Sequence, residues 1–288
     1  MPSIYIIPGY ILCLLGAFFL SWGGLLIREW EGNDVWQILF WRSFFFNCTL
    51  VLFLYFTYKK KAFSVIKKSG IPGALGGIAM AIGFTAYVFA MSTTTVANVL
   101  FIISTQTIWL ALFGYLFLKE KISLKTLLSI ILAMIGILIM VGGSLSTGSL
   151  FGNLVALFIP INFAFLILLI RKYSKLDLVP ALFYGGLIIM FFSFFMTDSV
   201  IVSKHNIIIG FLLGSFQHAF GFICIVIGAR STPAVVVGLL MLLETLLGPF
   251  WVWVFLSEIP PISVFIGGGI IILAVILKTL ERKYSNAS

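Results

Sequence analysis

Long stretches of this chain carry almost no charge, and that decides what it can fold into. From Gly9 to Leu277, apolar runs follow one another with short links. Each run is close to the roughly 20 residues a helix needs to cross hydrocarbon. In lipid the backbone must satisfy its own hydrogen bonds, so such runs span as helices. Of 288 residues, 61% are hydrophobic and 9% are charged, against about 25% charged in soluble domains. Mean hydropathy is +1.20. That leaves too little polar surface to wrap the chain in water. A soluble enzyme, a disordered chain and a nucleic-acid-binding module are excluded.

Ten spans can be drawn, at 9–28, 35–58, 70–91, 95–118, 123–143, 150–171, 178–197, 206–228, 232–256 and 261–281. The expected fold is an all-α membrane protein of ten transmembrane helices. No remaining stretch is long enough for a soluble domain. The links at 91–95 and 228–232 force their helices into antiparallel hairpins. The start of the chain has no basic region or small-residue cleavage site, so 9–28 is read as a retained helix.

The net charge of +9 comes from 18 Lys and Arg against 9 Asp and Glu. Its distribution follows the spans. Lys59, Lys60, Lys61, Lys67 and Lys68 share one side with Lys119, Lys121 and Lys125. Arg171, Lys172, Lys175, Arg230, Lys278, Arg282 and Lys283 fall there too. Arg28 and Lys204 lie opposite, with the acidic Glu29, Glu31 and Asp34. The positive-inside rule then places both termini in the cytoplasm, in a cell (inner) membrane. Cys13, Cys48 and Cys224 all sit in apolar runs and read as packing residues, not a disulfide framework.

The two halves of the sequence match at an offset of 138 residues. Thr94 meets Thr232, Gln106 meets Glu244, Thr107 meets Thr245, Phe117-Leu118 meets Phe255-Leu256, and Glu120 meets Glu258. This divides the chain into repeats at 1–145 and 146–288. Each repeat holds five spans, an odd number, so the copies face opposite ways. Inverted repeats of this kind are the architecture of many secondary transporters.

The paired segments 94–140 and 232–277 each contain a helix-breaking link, a span closed by an acidic residue, and a Gly-rich span. Gly-Tyr-Leu-Phe-Leu-Lys-Glu (114–120) and Trp-Val-Phe-Leu-Ser-Glu (253–258) look like one span-closing motif. With Ser21-Trp22-Gly23 and Arg42, these segments make the chain resemble the drug/metabolite transporter (DMT) superfamily in its EamA-type branch. Pro260 and Pro261 stand where that branch usually has a polar turn. The resemblance implies a ten-helix carrier of small organic metabolites, commonly working outward.

Polar groups near mid-span are the candidate functional residues, because hydrocarbon penalises them unless they are paired or wet. Glu244 lies near the midplane of span nine and must be protonated, paired or open to a cavity. It suits proton coupling, or a counter-charge for a cationic substrate; a structural carboxyl is the alternative. Gly248 and Pro249 follow it and predict a kink. Gln106 occupies the matching depth of span four. Arg42, in span two, has three readings: snorkelling outward, pairing with Glu244, or meeting a substrate carboxylate. His218, beside Gln217, suits a proton relay or a hydrogen-bonded packing role. Asn162 with Pro160 makes a polar break in span six. Among the aromatics, Trp22 is the first candidate for a cavity wall, with Tyr87 also in the set. Asn47 is a weaker candidate.

Gly73 with Gly77, and Gly210 with Gly214, have the small-xxx-small spacing of close helix contacts. No Walker loop, HExxH or Cys/His cluster is present, so neither a cofactor nor a metal is expected. The expectation is a secondary active transporter of small metabolites such as amino acids, with export favoured, operating by alternating access. An organic-cation or quaternary-amine carrier using Glu244 and aromatics is the alternative. A lipid enzyme lacks a visible nucleophile–base pair, and a passive channel predicts no saturation. Expected partners are a small-molecule substrate and membrane lipid; a homodimer is allowed and nucleic acid is not.

Overall fold

A computed structural model describes residues 6–94, 96–142, 149–257 and 262–285. The first run is split into α1 (Gly9–Leu20) and α2 (Gly23–Arg28). Next come α3 (Val35–Tyr58), a 3-10 turn (Lys59–Lys61) and α4 (Ala62–Thr93). They are followed by α5 (Val96–Ser104), α6 (Gln106–Leu118), α7 (Leu124–Gly142), α8 (Leu150–Ala156), α9 (Phe158–Lys172) and α10 (Val179–Met196). α11 (Lys204–Phe211), a π-helical segment (Leu212–Ala219) and α12 (Phe220–Ala229) run on from one another. α13 (Ala234–Leu256) and α14 (Ile262–Ser285) complete the order. Among the described residues there is no strand.

Among the described residues seven helical runs are long and apolar enough to cross a membrane, and Leu124–Met140 and Ile262–Leu277 are shorter apolar helices. One of the seven, Val35–Thr93, is 59 residues long. It is not a single rod: Lys59 adopts φ 49 and α3 packs back on α4. Within α4 a second break falls at Gly70, so residues 62–69 form a separate short helix ahead of the long one.

Several rods are interrupted near their middles, and the side chains explain why. Ser21 Oγ donates to the Phe18 carbonyl at 2.6 Å, where α1 gives way to α2. Ser104 and Thr105 do the same to Phe101 and Ile102, each at 2.6 Å, where α5 gives way to α6. Hydroxyls bonded to the preceding turn compete with helix bonds and bend the rod. The α8–α9 break at Leu157 lies three residues before Pro160, whose ring clashes with the carbonyl four residues back. Pro249 does not interrupt α13, which runs through it.

The rods pack as α7 with α14, α10 with α3 and α4, α1 with α12 and α13, and α9 with α4 and α6; α6 packs on α13, and α3 on the π-segment. At one end of the bundle, Glu120 accepts from Arg171 at 2.6 Å and caps the Ala234 amide of α13 at 2.9 Å. Arg171 also donates to the Arg230 carbonyl, and Arg230 to the Ser174 carbonyl. Tyr58 bonds to Asp177 there. At the other end, Asp34 caps α3 and accepts from Thr197, while Glu31 accepts from Ser203. Glu258 lies outside the described residues.

The outward faces carry large apolar side chains such as Phe191, Phe195 and Phe211. Lipid is as apolar as they are, so small residues and close packing drive association between the rods. A Cβ added at Gly77 would lie 2.7 Å from the Tyr184 Cβ of α10, and one at Gly214 would lie 2.8 Å from Phe45 of α3. Cys13 and Cys224 are buried, but Cys48 is exposed on the outer face of α3. It does not pack inside because apolar character alone does not separate lipid-facing from core-facing positions.

Leucine at Gly77 or Gly214 should push its helix off its neighbour and cost about 1–3 kcal/mol or more. Leucine at Gly24, which has nothing within 4 Å of an added Cβ, should cost little. Thermal melting in detergent checks the contrast.

Candidate functional site

The helix breaks surround a central cavity of about 60 Å³. At roughly 10–15 Å³ of accessible space per water, it holds a few waters or a small polar group. Each wall comes from residues at helical spacing. α4 supplies Ala79, Met80, Gly83, Phe84 and Tyr87, and α9 with its first turn supplies Ile159, Asn162, Phe163 and Leu166. Ile103 and Gln106 flank the α5–α6 break, and Met241 and Glu244 lie one turn apart on α13. The π-segment presents Gln217 and His218, with Phe222 following from α12. Leu20 and Arg42 close the ring.

Six residues singled out in the sequence thus line one space: Glu244, Gln106, Arg42, Asn162, His218 and Tyr87. Trp22 is placed elsewhere. It stacks on Trp251, with ring centroids 4.2 Å apart and planes at 21°, and meets Phe216 edge-on. Leu20 faces the cavity and Gly23 lies close to Tyr87 and Gln217. At 100° per residue, Trp22 falls on the other side of that rod. Asn47 is buried without lining the cavity, and a Cβ at Gly186 would collide with it.

Arg42 does not snorkel: it is 3% exposed. Its Nη2 donates to His218 Nδ1 at 2.5 Å. The guanidinium lies 5.6 Å from the Phe84 ring centroid and 5.5 Å from that of Tyr87, within cation–π range. His218 is itself enclosed by Phe46, Phe84 and Phe222. A guanidinium has donors alone, so His218 must accept through Nδ1 and carry its proton on Nε2. It is a packing histidine in this arrangement, and one that holds the cation. No ion pair within 4 Å joins Arg42 to Glu244 among the described residues.

Several buried polar atoms here have no protein partner. They are Nε and Nη1 of Arg42, Nε2 of Gln106 and Oε1 of Gln217. Gln106 is 3% exposed and Gln217 is 2% exposed. The other end of Gln217 donates to the Leu20 carbonyl at 3.2 Å, which fixes the orientation of Oε1. Asn162 donates to the Phe158 carbonyl at 2.8 Å. Burying such groups unpaired costs about 1–3 kcal/mol each, so the site is built to meet a polar guest or water. Arg42 and Gln106 supply donors; Gln217 and the carboxylate of Glu244 supply acceptors. Among the described residues no group of His, Cys, Asp and Glu could hold a metal ion.

Gln217 and Phe84 were not among the residues singled out. Gln217 was legible as the neighbour of His218. A π-helix turns less per residue than an α-helix, which lets two consecutive side chains point inward.

The model of the EamA-like transporter family matches residues 7–142 and again 146–280. The chain belongs to the EamA-like transporter family. It is accordingly a multi-pass membrane protein and a membrane transporter, consistent with the drug/metabolite transporter superfamily. An uncharacterized transporter of Clostridium kluyveri is 25% identical over 308 residues, covering 96% of this chain and 95% of that relative. A protein crystal structure superposes with a TM-score of 0.82, over 94% of this chain and 97% of that one. Its 13% identity makes this a likeness of fold alone.

Leucine at Gly83 tests whether transport passes through the cavity. A Cβ there meets Asn162 at an ordinary 3.4 Å, so the variant should fold. Its side chain would fill the space. Transport in proteoliposomes should fall at least tenfold while the melting temperature stays near that of the wild type.

Proposed function

We propose that this transporter is a secondary active carrier of small organic metabolites such as amino acids, working in the export direction by alternating access. The observation that carries the reading is that the cavity sets the unpaired donors of Arg42 and Gln106 against the unpaired Oε1 of Gln217, with the Glu244 carboxyl in the same lining. A zwitterion matches it: a carboxylate for Arg42 and Gln106, and an ammonium for Glu244 and Gln217. An organic cation is the second reading, favoured by the Phe84, Tyr87, Phe163 and Phe222 rings in the same lining.

Under this reading the fold is ten helices in two inverted repeats, 1–145 and 146–288. Two observations support it. The offset of 138 carries Ala79, Met80, Phe84, Ile103 and Gln106 onto Gln217, His218, Phe222, Met241 and Glu244, and all ten line the cavity. The packing pairs recur in the same way: α8 on α4 mirrors α1 on α12, and α3 with α10 and α7 with α14 each pair an element with its own counterpart. A scaffold of this kind has two equivalent packings, one open to each side. Coupling would come from a proton or solute gradient, with Glu244 as the coupling acid. The lysine-rich end would face the cytoplasm of a cell (inner) membrane, with both termini on that side.

A thermal-shift screen of amino acids, amines and sugars on purified protein should single out zwitterions. A wider response to amines lacking a carboxylate would favour the second reading. In proteoliposomes, Glu244→Gln should slow pH-driven transport at least tenfold and flatten its pH dependence. Wild-type rate and pH profile in that variant would remove the coupling role. For orientation, Ser64→Cys in a background lacking Cys48 should be labelled from the cytoplasmic side alone.

A further inference from the structure

We infer that the lysine arm between α3 and α4 is a binding site for the headgroup of an anionic phospholipid. The arm is a built feature. Lys59 turns the chain with φ 49, Lys59–Lys61 form a 3-10 turn, and residues 62–69 make a short helix that ends at Gly70. The arm is tied to the bundle: Tyr184 of α10 donates to the Ile66 carbonyl at 3.1 Å, and Ser69 is buried.

Lys59, Lys60, Lys61, Lys67 and Lys68 are all exposed, and none has an ion pair within 4 Å among the described residues. The nearby acid, Asp177, is engaged by Tyr58, by the Val179 amide and by Arg230. Among the described residues the positive charge of the arm therefore has no ion-paired counterpart.

A surface cleft of about 690 Å³ is lined by Tyr55, Phe56 and Tyr58 together with Lys59, Lys60 and Lys61. Large exposed rings frame the lysines: Phe56 is 72% exposed and Phe63 is 77% exposed. A soluble polyanion would gain nothing from those rings. A phospholipid uses both features, with phosphate against the ammonium groups and acyl chains against the aromatics. Clusters of lysine beside a spanning helix attract anionic lipid, at roughly fivefold in affinity per residue near the surface.

The test uses the full chain in nanodiscs of phosphatidylcholine with and without phosphatidylglycerol, with retained lipid read by native mass spectrometry. The wild type should retain phosphatidylglycerol preferentially, and the preference should shrink as salt rises, because exposed charges are screened. Replacing Lys59, Lys60 and Lys61 together by Gln should cut it by roughly two orders of magnitude. Lys204→Gln, at the opposite end, should leave it unchanged. An equal preference in the triple variant and the wild type would overturn the inference. So would displacement of the lipid by inorganic phosphate, which would mark an anion site without lipid specificity. Should the triple variant not fold, Lys60→Gln alone should cut the preference roughly fivefold, and an unchanged preference in that variant would overturn the inference.

Discussion

The structure is organised around a guanidinium with nowhere to go. Arg42 is buried among hydrocarbon and aromatic rings, and one bond to His218 is its protein hydrogen bond. Desolvating an ion is expensive, and a partner that is merely neutral does not restore what water gave. Two of its nitrogens remain unspent. Glu244 faces the same cavity from α13 without touching it. If the two closed on one another, the cavity would be superfluous. Held apart, they keep a small polar space open inside an apolar bundle. The rings of Phe84 and Tyr87 soften the cost without neutralising the charge, which is what a reversible site requires.

The helix breaks follow from the same constraint. Non-helical backbone in a membrane is tolerated where it is buried in protein or lines a cavity. The breaks at Ser21 and Thr105 and the π-segment all border the central space. At the first two, a hydroxyl bonds to a carbonyl of the preceding turn, so that the interruption leaves fewer acceptors bare. At the third, Gly214 lets the widened helix lie directly on α3, bringing Gln217 to the cavity and His218 to Arg42.

Much of the arrangement could be read before any coordinates. Depth along a span follows from counting residues, so Glu244, Gln106, Arg42 and His218 stand out by their polarity near mid-span, and all four line the central cavity. Azimuth was harder. In a soluble helix the polar face marks the outside, but here both faces are apolar. That is why Trp22, at the right depth, was expected on the cavity wall and lies on the far side of its rod, and why Cys48 was expected inside. The breaks were harder to read from side-chain chemistry. Pro249 lies inside a helix that continues through it, while Ser21 and Thr105, which the sequence did not mark as breaks, sit where rods are interrupted. Spacing from the polar anchors was the unused information: Phe222 is one turn beyond His218, and Met241 one turn before Glu244.

The proposed halves have diverged where it matters most for motion. At the offset that superposes the repeats, Arg42 corresponds to Pro180 and Asn162 to Gly24, while Ala79 and Met80 correspond to Gln217 and His218. Under the proposed repeat the scaffold would be paired but the charges would not: the cation would belong to the first repeat and the acid to the second. In an alternating-access carrier a guest held by both would bridge two bodies that move past each other, so its binding energy would depend directly on their relative position. A symmetric pair of charges would let either half hold the guest alone and leave that motion indifferent to it. Division of the site between the halves is therefore the feature that would let occupancy bias the exchange between packings, since a ligand shifts an equilibrium only by its difference in affinity for the two states.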